Sequence, residues 1–204
     1  MKRTVGVLLL VLALGACASS KSSTTDGSTI GKGIDVETMR PPEAAQVVRD
    51  FQKAYGMPPV APPGTPVTSM AQVLEIIRGD RLPEYEAARR FAAGRQGPQA
   101  LTLRAYLDLS YAGALMTAAW ILEEERRQDL TELRQLQQAR PLEDPDGTKK
   151  DAARVGELRA KTADLRKVVR ALRVLSEEPL RSGSDLAEQA IRQDAKAQLA
   201  YLAN

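Results

Sequence analysis

The chain has 204 residues, with 29 lysines and arginines against 26 aspartates and glutamates, one cysteine and no histidine. The absence of histidine excludes His-based zinc sites, Ser-His-Asp triads and Cys-His pairs, and a lone cysteine excludes an internal disulfide. Aromatic residues make up 4% of the chain, while alanine, leucine, arginine, glutamate and glutamine dominate it, which predicts an all-α protein with coiled-coil character.

The chain opens with Lys2 and Arg3, and residues 5–16 then carry nothing more polar than glycine. A charged start, a short apolar run and small residues before a cleavage point make a secretory signal. Twelve apolar residues fall short of the ~20 that a membrane-spanning helix needs. The run closes on Leu14-Gly15-Ala16-Cys17, which resembles a bacterial lipobox. The resemblance implies cleavage after residue 16, a diacylglycerol thioether on the Cys17 thiol, and a fatty acyl group such as palmitate on the new amino terminus. Ala18, rather than Asp, at the next position implies sorting to the outer membrane of a Gram-negative cell. Cleavage would leave 188 residues with 27 basic and 26 acidic side chains. The basic pI therefore comes from a near-neutral chain, and nucleic acid is not an expected partner.

Residues 17–40 are rich in serine, threonine and glycine, which predicts a disordered tether. Residues 41–66 comprise a short helix, with Ala44, Val47, Val48 and Phe51 on one side and Gly56 as its stop, and then a connector with five prolines. Residues 67–122 are the predicted helical body. Ser69 and Gln72 form a capping-box pattern ahead of Met70, Val73, Leu74 and Ile77, and Pro83 opens the next helix. From residue 100 to 122 the chain is apolar on almost every side, interrupted by Arg104 and Asp108 at pairing distance on one helix. Such a helix is predicted to be the enclosed centre of the body. Gly113 either permits close helix approach or marks a break.

Residues 123–178 are the predicted antiparallel coiled-coil hairpin. The returning arm carries Val155, Leu158, Thr162, Leu165, Val169, Leu172 and Ser176 at alternating steps of three and four, a heptad seam. Residues 123–146 hold 8 acids and 4 bases, whereas residues 149–173 hold 9 bases and 3 acids, so the arms attract each other. Pro179 is expected to end the arm, with residues 179–204 forming a separate C-terminal helix.

Arg159, Arg166 and Arg173 recur every seven residues beside the seam. They either pair within the hairpin or face an acidic partner protein or phosphate groups. The seam could also pair with a second copy of the chain. No carboxylate pair, phosphate loop or metal spacing stands out, so catalysis, a cofactor and a metal are not expected.

The segment Pro83-Glu84-Tyr85-Glu86-Ala87-Ala88-Arg89-Arg90-Phe91-Ala92, the leucine-rich residues 99–109, residues 118–125 and the heptad arm together resemble outer-membrane lipoproteins of the QseG type. The resemblance implies a lipid-anchored periplasmic protein that accompanies a sensor histidine kinase and contacts its periplasmic region. The alternative expectation is an assembly or structural lipoprotein of an envelope or secretion machine, in the manner of a pilotin.

Overall fold

Two short helices end where their sequence signals place the ends. Helix α1 (Pro41–Tyr55) stops at Gly56, whose φ of 68° is left-handed and whose N–H donates to the Gln52 carbonyl at 2.9 Å. Helix α2 (Met70–Arg78) starts from a reciprocal cap: the Gln72 N–H donates to Ser69 Oγ at 3.3 Å, and the Ser69 N–H donates to Gln72 Oε1 at 3.1 Å. Three further helices follow: α3 (Leu82–Ala93), α4 (Pro98–Gln138) and α5 (Pro145–Leu202). The computed structural model describes residues 28–56, 66–79, 82–138 and 145–202, and these contain no strand. Cys17 with its lipobox, most of the proline-rich connector and the turn at 139–144 lie outside the described residues.

The architecture is all-α, built on an antiparallel hairpin of α4 and α5. At 41 and 58 residues these helices are about 60 and about 87 Å long. Their pairing runs antiparallel throughout: Arg154 meets Glu132, Lys161 meets Glu125 and Asp129, and Ser182 meets Asp108. Helix α1 packs on α5, α3 packs on α4, and α2 packs on α3.

The predicted seam is present. Leu158, Thr162, Leu165, Val169, Leu172 and Ser176 are all buried. Its two polar members are satisfied locally, since Thr162 Oγ1 donates to the Leu158 carbonyl at 2.7 Å and Ser176 Oγ donates to the Arg173 carbonyl at 2.7 Å. A second buried stripe (Asp164, Lys167, Ala171 and Val174) lies on another side of the same helix and receives α1 and the segment before it. Two occupied sides explain why the middle of α5 is the best-buried part of the molecule.

Four expectations are corrected. Pro179 does not end the arm: α5 continues through it, and Pro179, Gly183 and Leu186 prolong the seam at the same three-four spacing, all buried. A mid-helix proline removes one backbone bond and costs about 3 kcal/mol in isolation. Here burial of the residues on both sides, and the contact of Gly183 with α4, outweigh that cost. The C-terminal helix is therefore the end of α5.

Residues 28–40 are not a disordered tether. Ile30 and Met39 are core residues, and the segment is stitched to α5. Its serine and threonine supply hydrogen-bond donors that composition alone registers only as polarity.

The body and the hairpin share α4, which is unbroken at Gly113, so residues 122 and 123 do not separate two units. Nor is that helix enclosed: Tyr106, Met116, Trp120 and Ile121 are each at least half exposed. Helix α4 has one 18-residue window of mean hydropathy 1.2, long and apolar enough to cross a membrane by composition, yet 44% of that window is buried within the fold.

Candidate functional site

Three polar constellations distinguish the molecule. The first holds the chain's beginning. Asp164 is fully buried on α5, and its carboxylate accepts from Ser28 Oγ at 2.7 Å, the Thr29 N–H at 2.9 Å, Thr29 Oγ1 at 2.7 Å and Tyr55 Oη at 2.7 Å, with the Ile30 N–H at 3.4 Å. One turn on, Lys167 Nζ donates to the carbonyls of Ile30 and Gly31 at 3.2 and 3.3 Å. Burial alone would raise the Asp164 pKa, but the bonds from Ser28, Thr29 and Tyr55 outweigh it and hold the carboxyl below its usual range. Burial, and then the Asp164 charge, push the Tyr55 phenol up.

Gly31 completes this clamp. It has a φ of 50°, its N–H donates to Asp50 Oδ2 at 3.1 Å, and a Cβ there would stand 2.6 Å from Val47 Cγ2. Any larger residue meets both backbone strain and a clash.

The second constellation ties α3, α4 and α5 together at Arg89. Its Nε donates to Asp108 Oδ1, its Nη2 to Glu178 Oε2 at 3.2 Å and its Nη1 to Glu86 Oε1 at 3.5 Å, while the guanidinium lies 5.2 Å from the centre of the Tyr111 ring. Asp108 also accepts from Ser182 Oγ at 2.6 Å. Asp108 therefore turns inward to Arg89 instead of pairing with Arg104 along its own helix. Arg104 and Arg90 line an open groove of about 330 Å³ over this cluster. The groove offers mixed charge with the central arginine already engaged, and its residues bind helices to each other.

The third constellation is the hairpin's charge pattern. Cross-hairpin ion pairs form at Arg154–Glu132, 2.8 Å, and at Lys161, whose Nζ lies 2.7 Å from Glu125 and 2.8 Å from Asp129. These bases precede the seam residues Val155 and Thr162, on one flank. Arg159, Arg166 and Arg173 follow seam residues, on the other flank, and all three are exposed. Arg166 reaches back to Glu37 at 3.1 Å in the N-terminal segment. Arg173 adds to Arg126 and then Arg127, as the smallest of the three, in lowering the pKa of Glu123. The structure thus places the row on one outer edge, about 10 Å between neighbours, while other residues carry the ion pairs across the hairpin.

The residues that sequence reasoning missed are Asp164, Lys167 and Arg89. Asp164 and Lys167 had a signal: Ala160, Asp164, Lys167, Ala171 and Val174 recur at steps of four and three beside the first seam, which puts an acid and a base on a second regular stripe of the arm. Among the described residues no group of three or more acidic or cysteine side chains is placed to hold a metal. No family model, curated protein or solved structure matches the chain. Function has to be argued from its own residues.

Proposed function

We propose that this chain is a lipid-anchored envelope lipoprotein that acts as a non-catalytic interaction module, held at the periplasmic face of the outer membrane. The observation that carries the reading is Cys17 at the end of Leu14-Gly15-Ala16-Cys17, behind a charged start and a short apolar run. The clamp on Asp164 supports it. Ser28 is the first described residue and lies eleven positions after Cys17, so even a fully extended chain would keep that end of the fold within ~40 Å of the anchor. A long charged hairpin on a short leash suits a device that meets a protein partner near the membrane. By the resemblance, that partner is the periplasmic region of a sensor kinase, and the outward row Arg159, Arg166 and Arg173 is the contact surface proposed for it.

Cys17→Ser, followed by metabolic labelling with palmitate and membrane fractionation, tests the anchor: label and membrane association should both be lost. Retention of the variant in the membrane pellet would remove the basis of the proposal. The contact surface is tested separately by crosslinking and capture from intact cells with Arg159, Arg166 and Arg173 all changed to Glu. Undiminished capture with an intact circular dichroism spectrum would show that the row is not the interface.

A further inference from the structure

Helix α4 carries a second seam. Thr102, Tyr106, Leu109, Gly113, Met116 and Trp120 follow one another at alternating steps of four and three, the spacing of coiled-coil a and d positions. Unlike the seam of α5, this one is open: Tyr106 is 55%, Met116 50% and Trp120 67% exposed, and Leu109 remains 38% exposed at its edge. It lies roughly 100° round α4 from the buried row Ala105, Ala112, Leu115, Ala119 and Leu122 and borders it, with Leu109 at the shared edge also packed against Gly183 of α5. A stripe confined to a and d positions is the signature of a helix-pairing seam, narrower than the face of an interfacial helix. With Ile121 alongside, the side chains offer on the order of 550 Å² of apolar surface. Two copies together would bury about 1,100 Å², below a standard interface and in the range of weak or transient pairing.

We infer that this face pairs with the same face of a second copy, antiparallel, about a two-fold axis at the level of Tyr111. The seam is complementary to itself in that register. In antiparallel packing an a position meets a d position of the partner helix, and an isologous contact generates every layer twice. The central layers set Leu109 of one copy over Gly113 of the other, where the missing side chain admits it. The next layers set Met116 against Tyr106, a thioether on an aromatic ring. The outer layers set Trp120, the largest residue, against Thr102, one of the smallest. Bulk meets space in the inner and outer layers.

A bilayer is the other candidate occupant, and the narrow a and d spacing of the stripe disfavours it. The N-terminal segment docks on Asp164 and Lys167, on a different side of α5 from the seam that holds α4. On the anchored reading the anchor's reach of ~40 Å exceeds the width of one helix, so the self-complementary register, rather than the anchor's position, is what favours a second copy. The pairing itself does not rest on that reading.

The chain from residue 18 onward, which contains every described residue and no cysteine, provides the test. Trp120 is the only tryptophan. Its emission should move to the blue as concentration rises from about one to about 100 micromolar, in step with a monomer-to-dimer change in sedimentation equilibrium. Trp120→Glu and, independently, Met116→Glu should each hold the protein monomeric with unchanged helicity. Leu109→Cys and Gly113→Cys proteins should form a disulfide-linked dimer when mixed, and much less of one when kept apart. A monomer across the whole range, or a dimer untouched by both glutamate variants, overturns the inference. So does efficient self-linking of the Gly113→Cys protein alone, which indicates parallel pairing. An emission shift seen only with phosphatidylethanolamine–phosphatidylglycerol vesicles overturns it in favour of a lipid surface.

Discussion

Gly183 and Gly156 both lie inside α5, and the same replacement should move stability in opposite directions at the two sites. In a helix interior, alanine is favoured over glycine by about 1 kcal/mol. At Gly156 a new Cβ meets nothing within 4 Å, so Gly156→Ala should realise most of that gain, about 0.5–1 kcal/mol. At Gly183 a Cβ would stand 2.8 Å from Leu109 Cγ, 3.0 Å from the Leu109 nitrogen and 3.1 Å from the Ala105 carbonyl oxygen. The leucine tip could swing aside, but the two backbone atoms belong to the hydrogen-bonded ladder of α4. The helices must separate by a few tenths of an ångström, which loosens the Ser182–Asp108 bond beside them. Overpacking of this kind costs about 1–3 kcal/mol. It outweighs the propensity gain, and Gly183→Ala should lose about 1 kcal/mol net. For a domain of this size 1 kcal/mol moves Tm by about 2–4 °C, so the two variants should bracket the parent in a thermal melt followed by circular dichroism. A rise in Tm for Gly183→Ala that matches Gly156→Ala would refute the close helix approach on which the upper hairpin depends.

Asp164→Asn replaces an acceptor of several hydrogen bonds by a group that presents its own donors to Ser28, Thr29 and Tyr55, and should cost about 2–3 kcal/mol in urea unfolding. Because the folded Asp164 pKa is depressed, its contribution is present above the unfolded value and is lost as pH falls through the folded one. The parent should therefore lose stability below about pH 4, and the acid limb should be shallower in the asparagine variant. Arg89→Met leaves Asp108 buried beside Ser182 without its cation, and should destabilise by about 3 kcal/mol. Adding Asp108→Asn should recover part of that loss, whereas strict additivity of the two losses would argue against their coupling.

The heptad seam of α5, the cap at Ser69 and the stop at Gly56 were legible in the sequence because each rests on spacing within one helix. The all-α hairpin followed from the same local periodicity and from the opposed charge of its arms. What escaped was long-range. Asp164 bonds to residues more than a hundred positions away, and no local pattern joins a serine-threonine pair at 28 and 29 to it. Pro179 misled because its local cost is real, while the packing that overrides it lies on α4. The apolar run on α4 was read as fully enclosed because too many apolar residues surround it for one stripe. The structure divides them into an inner set and an open, regularly spaced one. Cys17 stands apart, since its argument is chemical recognition in the sequence and the described fold begins only after it.

The clamp at Asp164 also bears on the order in which the chain can be completed. A polypeptide synthesised from its amino end presents Ser28 and Thr29 early, and must deliver about 135 further residues before their acceptor emerges. Contacts of such separation form late, after local helices and the hairpin have closed the distance. The first residues of the fold to arrive are thus among the last to find their place. In the interval the core positions filled by Ile30 and Met39 stand open, a period when a holding chaperone would find apolar surface to bind.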